Sequence, residues 1–547
     1  MPFDKLRVNG YRLAATALLL APQLALAQTP TPAPAAAPAP QMSTPLKPVF
    51  AIRGFDVTGD NPLSGDETTR VLAPFLRTDA SIETLQKATA ALEATLKERG
   101  FALHRVVLPP QSVGQTVQLQ IVTFVIGKVS IEGLKDNQNY SEANIRASLP
   151  ELAEGTAPNF KTLAVQTAIA NESAGKQVQI ALKEAEEADR IDARIVVTEA
   201  KPWNFAASLA NTGSRSTGRD RLTLSGSHAN VFGLDHQFTG AYTTSIERTS
   251  DVQQMGFNYR IPLYRAGGVL GMSYTRSTVV GDFGALKSTG AGQTMGINYS
   301  HYLPPDGGYR SYVTLGLEDK RFDITEISGV PIPGQAVRRS RPLSLGYTAR
   351  VESNAASWGY NTDLVANMVS GSGNNLTAYR TEDTRISTAA FKVLRANANY
   401  LGALGGGGWL WGVRGQFQYS ADALISGEQF GLGGASTIRG TGERPISGDK
   451  GLLVSLEVTT PDLQPGLRLL GFVDAGWLRN NSPNGNPKPA SDKLASAGLG
   501  LRYTLGALGF SAEWGRIVSG SVLANAGNPA IPKAGDSKFH VNLTARF

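Results

Sequence analysis

The stretch Trp409-Leu-Trp-Gly-Val-Arg-Gly-Gln-Phe-Gln-Tyr419 sets Trp409, Trp411, Val413, Gly415, Phe417 and Tyr419 on one side of an extended chain. Gly412, Arg414, Gln416 and Gln418 fall on the other. Side chains of a strand alternate between faces, so this is a strand with one apolar, aromatic-rich face and one polar face. The same texture begins after Lys201-Pro202-Trp203 and persists to the last residue. Met255, Phe257, Tyr259 and Ile261 interleave with Gly256, Asn258 and Arg260, and Leu452, Val454, Leu456 and Val458 with Ser455, Glu457 and Thr459. Ala497, Leu499, Leu501 and Tyr503 repeat the pattern against Gly498, Gly500 and Arg502. A soluble sandwich would turn Lys- and Glu-rich faces to water. Here Trp, Tyr and Phe gather at strand ends of the apolar face, while the polar face is Gly, Ser, Thr and Asn with occasional Arg or Glu. That combination suits lipid outside and a hydrated lumen inside, so residues 202–547 are expected to form a transmembrane antiparallel β-barrel.

Phe539, Val541, Leu543, Ala545 and Phe547 carry the alternation to a terminal aromatic. This resembles the C-terminal signal by which barrels are recognised for insertion into a Gram-negative outer membrane, which implies contact with the barrel-assembly machinery and with outer-membrane lipids. The N-terminus agrees on export. Lys5, Arg7 and Arg12 precede an apolar run from Leu13 to Ala27 that ends in the small-x-small site Ala25-Leu26-Ala27, so residues 1–27 read as a signal peptide and the mature chain as starting near Gln28. Pro22 interrupts the run, which falls short of a membrane span. Residues 28–48 form a Pro/Ala-rich linker with too much Pro for a helix, so no plug helix is expected there.

Two small α/β units follow. In residues 49–126, Val49 to Val57 reads as a strand, Ser64-Gly-Asp-Glu67 has capping-box spacing for a helix ending near Pro74, and Ser81 caps a second helix lined by Leu85, Leu92 and Leu96. Gly100 fits its stop, and Phe101 to Leu108 and Thr116 to Ile126 read as strands. In residues 127–201 the order βααββ recurs: Lys128 to Glu132, helices at Ser141 to Leu149 and Phe160 to Ala170, then strands Gln177 to Lys183 and Arg190 to Thr198. Ile191, Ala193, Ile195 and Val197 share one face, as in a sheet covered on a single side.

Several function classes are disfavoured. Cys is absent, which removes disulfides and thiolate metal sites. The formal charge of +7 is spread thinly, with no basic block interleaved with aromatics, so no nucleic-acid partner is expected. No nucleophile elbow, phosphate loop or zinc-protease helix motif occurs. His104, His228, His236, His301 and His540 are too scattered for a local metal cluster. An enzyme, a cofactor and a resident metal are therefore not expected.

The most informative segment is Gly431-Leu-Gly-Gly-Ala-Ser-Thr-Ile-Arg-Gly-Thr-Gly-Glu-Arg-Pro-Ile-Ser-Gly-Asp449, flexible and centred on Ile438-Arg439-Gly440. A strand from Gly451 to Thr459 and then Phe472-Val473-Asp474-Ala475-Gly476 follow it. With Val473, Ala475 and Trp477 facing lipid, Phe472, Asp474 and Gly476 face the lumen. A carboxylate is thereby presented inside the barrel to a cation, and a Gly-rich loop long enough to re-enter needs such an anchor. Two solvated charges on separate loops are the plain alternative.

Two βααββ units, a barrel, Arg-Gly in a long loop and Phe-x-Asp-x-Gly on a later strand together resemble the two-partner secretion transporters. These are the TpsB family, haemolysin secretion/activation proteins of the ShlB, FhaC and HecB type. Asn211-Thr212-Gly213, Thr217-Gly218-Arg219 and Asn230-Val-Phe-Gly-Leu-Asp235 are similar to that family's first barrel strands, and the Asn171 to Lys176 turn to its second POTRA signature. The resemblance implies a barrel of sixteen strands behind two periplasmic POTRA domains, 49–126 and 127–201. It makes residues 431–450 a re-entrant sixth extracellular loop whose Arg439 pairs with Asp474. It also implies a large secreted TpsA-like exoprotein as cargo, captured by the POTRA units and exported through the barrel. Thr441 departs from the family, which usually has an aromatic there. An insertase of the same superfamily, using the same loop, is the alternative, and a passive pore would leave both POTRA units without a task.

Overall fold

A computed structural model describes residues 49–547 apart from 113, 135–138, 215–216, 280, 284–285, 289–290, 325, 328–329, 332–333, 354, 486–487 and 525–529. The leader and linker read from residues 1–48, and with them the question of a plug helix, lie outside the described residues.

The first unit runs β1 (Gly54–Gly59), α1 (Gly65–Leu72), α2 (Ile82–Glu98), β2 (His104–Val107) and β3 (Thr116–Thr123), with sheet order β1-β3-β2. The Ser64 side chain accepts from the Glu67 N–H at 3.2 Å and so caps α1. Leu85, Leu92 and Leu96 form the buried face of α2. The second unit runs β4 (Val125–Glu132), α3 (Glu142–Ser148), α4 (Phe160–Ala170), β5 (Lys176–Glu184) and β6 (Arg190–Glu199). Its sheet order is β4-β6-β5, with β4 parallel and β5 antiparallel to β6. Ala193, Ile195 and Val197 bury one face of β6 against α3 and α4 residues such as Ile145 and Leu163. Several strand limits differ from the sequence reading: the strand expected from Phe101 starts at His104, and the one expected from Lys128 starts at Val125. The strand expected from Val49 starts at Gly54, with Phe50 making only an isolated bridge to Ala80. The run expected to continue to Ile126 breaks at Phe124, where the Phe124 N–H turns to Leu103 O (2.9 Å) and the Val125 N–H to Asp189 O (3.1 Å).

The barrel strands are β7 (Trp203–Ala210), β8 (Arg221–Val231), β9 (His236–Thr244), β10 (Gln253–Leu263), β11 (Gly268–Ser277), β12 (Gly292–Tyr302), β13 (Tyr309–Phe322), β14 (Arg338–Ser340 continued by Pro342–Glu352), β15 (Ala356–Asn367), β16 (Lys392–Ala403), β17 (Leu410–Tyr419), β18 (Lys450–Thr459), β19 (Leu467–Arg479), β20 (Ser491–Leu505), β21 (Leu508–Ser519) and β22 (Ser537–Arg546). Each pairs antiparallel with the next, and β22 pairs with β7, closing sixteen strands. Val473 and Trp477 are 52% and 47% exposed while Phe472 and Asp474 are 4% and 0%, which fixes the apolar face outward and the motif inward. One rim carries short turns such as Tyr264–Gly267 and an aromatic belt that includes Tyr309, Trp358, Tyr360 and Trp411. The opposite rim carries long segments, including 368–391 with its helix α5 (Leu376–Arg380) and 420–449. The terminal residue takes part in closure: the Phe547 N–H donates to Phe205 O at 2.9 Å, and Phe539 and Leu543 point outward, 61% and 46% exposed. Val541, in the same strand, donates its N–H to the Asn211 side chain at 2.9 Å.

Candidate functional site

Segment 431–449 folds back into the lumen. Its base is a small antiparallel pairing of Phe430–Leu432 with Ile446–Gly448. Asp449, fully buried where the segment rejoins β18, fixes that base: its carboxylate accepts from the Leu424 N–H (2.9 Å), Gln429 Nε2 (3.1 Å), the Asn481 N–H (2.9 Å) and Arg385 Nη1 (3.3 Å). Leu432, Ile438 and Ile446 bury an apolar seam against wall residues Leu453, Leu478, Leu494 and Ile517. Gly476 makes that seam possible, because a Cβ there would lie 2.5 Å from Leu432.

At the tip, Arg439 is 3% exposed and all five of its guanidinium N–H donors have acceptors. Nε and Nη2 grip the two oxygens of Asp474 as a fork, both at 2.9 Å. The other Nη2 hydrogen reaches Ser455 Oγ (3.3 Å), and Nη1 is shared between Glu457 (2.8 Å) and Glu513 (3.1 Å). The Arg439 backbone N–H adds a bond to Asp474 Oδ2 at 3.0 Å. The guanidinium lies over the Phe472 ring, with Cζ 3.5 Å from its centroid. Each residue of Phe-x-Asp-x-Gly thus meets the loop: the ring stacks, the carboxylate forks and the glycine yields space. Arg502 bonds both glutamates from the far side, to Glu457 at 2.6 and 3.0 Å and to Glu513 at 3.0 Å. Arg414, opposite Ser455 in register, brings a third cation on β17. Buried charges are tolerated only when paired and hydrogen-bonded, and Arg439, Asp474, Glu457, Glu513 and Arg502 satisfy both conditions across β18 to β21.

Gly440 has φ 96° and lies against Gly515, where a Cβ on Gly440 would fall 2.6 Å from the carbonyl oxygen. Only glycine fits both constraints. Its N–H donates to His540 Nε2 on β22 at 3.0 Å. Thr441 is buried, and its hydroxyl accepts from the Gly434 N–H (2.8 Å) and donates to Ile438 O (2.9 Å). An intraloop staple therefore stands where the family resemblance led one to expect an aromatic.

A second cluster ties the second α/β unit to the short-turn rim. Glu172, in the turn before β5, accepts from Arg260 Nη2 (2.9 Å) and the Tyr302 hydroxyl (2.5 Å) on one oxygen and from Arg350 Nη2 (2.7 Å) on the other. Lys176 and Asp235 form a fully buried pair at 2.6 Å, joined by Asn144 (3.1 Å from Lys176) and the Tyr264 hydroxyl (2.8 Å from Asp235). Burial holds the Lys176 ammonium below the usual lysine range, with Asp235 pulling the other way. Val165 and Ile169 of α4 pack on Val269 and Tyr302 beside these charges. The turn containing Glu172 and Lys176 had a family signature in the sequence, but nothing in it announced partners on three barrel strands. Glu457 and Arg502 were placed on the polar face without a partner, and Glu513 and His540 carried no signal. Among the described residues no group of His, Cys, Asp and Glu could hold a metal ion, and no helix is long and apolar enough to cross a membrane.

The profile of the haemolysin secretion/activation protein family ShlB/FhaC/HecB matches residues 189–503, more than half of the chain, and that of the ShlB-type POTRA domain matches residues 50–123. The outer membrane transporter CdiB of Dickeya dadantii (strain 3937) is 23% identical over 462 residues, covering 79% of this chain and 77% of the relative. CdiB of Escherichia coli is 24% identical over 475 residues, covering 84% and 77%. Among solved structures, CdiB from Escherichia coli superposes with a TM-score of 0.70 over 93% of both chains at 20% identity. CdiB from Acinetobacter baumannii does so with 0.67 over 91% of this chain and 90% of its own, at 18%.

Proposed function

Since this chain belongs to the haemolysin secretion/activation protein family ShlB/FhaC/HecB, outer-membrane secretion transporters whose POTRA domains stand in the periplasm, we propose that it exports one large TpsA-like exoprotein. The POTRA units capture the unfolded partner, and the barrel passes it to the cell surface. Capture proceeds by β-augmentation, for which the first sheet has the edge strands β1 and β2 and the second has β5 beyond Val178, whereas the edge of β4 is already taken by bonds of Ile126 and Val129 with Gly155, Thr156 and Glu154. No nucleotide is involved. Folding of the cargo outside supplies direction, because a folded chain cannot return. The observation that supports this reading best is the tip at Arg439: a loop held in the lumen by a polar cluster is an obstruction that can be withdrawn, as a conduit for a polypeptide needs. Deleting the gene and measuring the envelope and medium proteomes tests the proposal. The expected result is one large exoprotein stranded in the periplasm with other outer-membrane proteins at normal levels. A general fall in outer-membrane barrels would instead assign the chain to barrel insertion.

A further inference from the structure

The cluster around Arg439 spans β18 to β21, but the tip makes one more bond, to the closing strand. His540 sits on β22, buried, opposite Glu513 of β21 in register. A backbone N–H can only donate, so the Gly440 N–H at 3.0 Å makes Nε2 an acceptor and puts the ring proton on Nδ1. That Nδ1 is buried with no partner among the described residues. The charges facing the ring are Arg439 from the tip, Lys538 from its own strand, Asp474 from β19 and Glu513 from β21. On the β7 side the neighbouring residues Ala210 and Asn211 are uncharged. We infer that His540 is a positioning residue for the loop tip that holds Gly440 only while its imidazole is neutral, so that acidification from the lumen loosens the tip. A proton on Nε2 would set an N–H against the Gly440 N–H and a second cation near the Arg439 guanidinium. The bond must break for the ring to take it up. The sign follows from linkage: the latched state excludes the proton and the released state accepts it. The latch is therefore intact above the ordinary imidazole value of about 6.5, and below it the ratio of latched to released tip falls by up to about tenfold per pH unit.

This depends on the position of the tip and not on the identity of the cargo. The chain has no Cys, so Gly442→Cys gives a unique labelling site at an exposed position where a Cβ meets nothing within 4 Å. A nitroxide placed there on the full-length protein in proteoliposomes reports tip mobility between pH 8 and pH 5, with heat-modifiable gel mobility checking that the barrel is folded at each pH. The mobile fraction is expected to rise several-fold as pH falls through about 6.5. His540→Gln keeps an acceptor for Gly440 without a titrating ring and should stay immobile throughout. His540→Leu should be mobile at both ends of the range. An unchanged wild-type spectrum, or the same acid response in His540→Gln, overturns the inference. If the Gln barrel does not fold, His540→Asn replaces it under the same criterion.

Discussion

Arg439 is matched to its site by shape as much as by charge. Five N–H donors meet Asp474, Glu457, Glu513 and Ser455 while the planar head lies on Phe472. An ammonium offers three donors and no plane. Arg439→Lys is therefore expected to weaken the latched state by about 2–3 kcal/mol, the scale of one or two lost bonds to charged groups. Arg439→Ala should cost more, about 3–5 kcal/mol, because it leaves buried carboxylates uncompensated. Protease cleavage within the loop of the membrane-embedded protein reads both, with Ala cut faster than Lys and Lys faster than wild type. Equal rates for all three would remove Arg439 as the anchor. Reversing charges tests the pairing itself. Arg439→Asp and Asp474→Arg should each abolish secretion, and together recover only part of it, since the carboxylate introduced at the tip would face Glu457 and Glu513. No recovery at all would sink the pair.

At the scale of elements, the second POTRA unit is bolted to the barrel by residues on one turn. Glu172 joins α4's end to β10, β12 and β14, and Lys176 joins β5 to the turn after β8. Removing the carboxylate with Glu172→Ala leaves Arg260 and Arg350 facing each other. Because both are about one-third exposed, the expected cost is about 1–3 kcal/mol and not the full penalty of a buried pair. Hydrogen exchange should then speed roughly tenfold or more in Phe160–Ala170 while β18 to β21 stay unchanged. Unchanged exchange in α4 would show that the turn does not hold the unit. This layer also marks where sequence reading ends. Period-two alternation told which face Asp474, Glu457 and Arg502 occupy, and the Gly-rich run told that Arg439 had the freedom to reach inward. Alternation does not tell the height of a side chain in the lumen, which depends on the stagger of all the strands around the barrel. Glu457 and Glu513, on strands separated by two others, could not be seen to converge. The cap at Ser64 was legible because its partner lies three residues away. Glu172 was not, because its partners lie far along the chain.

The whole barrel has one joint unlike the rest. β22 meets β7 over Ala206–Ala210 against Asn542–Arg546, extended by the backbone bonds between Phe205 and Phe547 and by the Asn211 N–H to Val541 O (3.2 Å), whereas β19 and β20 pair over the full length Leu467–Arg479. Beyond that short ladder the Asn211 side chain substitutes for a strand, donating from Nδ2 to Phe539 O (2.8 Å) and accepting the Val541 N–H (2.9 Å). A circumference closed by so few bonds admits two routes for a passing chain: through the lumen once the tip withdraws, or outward through a parted wall. The wall can be locked without touching the tip. Ser208 and Thr544 are opposite in register with hydroxyls 3.3 Å apart, and in a chain without Cys the double substitution Ser208→Cys, Thr544→Cys has one disulfide to form in the oxidising envelope. If the lumen is the route, exoprotein secretion should be the same in the oxidised and the reduced barrel, because no step of passage parts β22 from β7. Secretion lost on oxidation and regained with reductant would instead mean that the wall opens during transport, and the tip at Arg439 would then guard the joint next to His540 and not the channel.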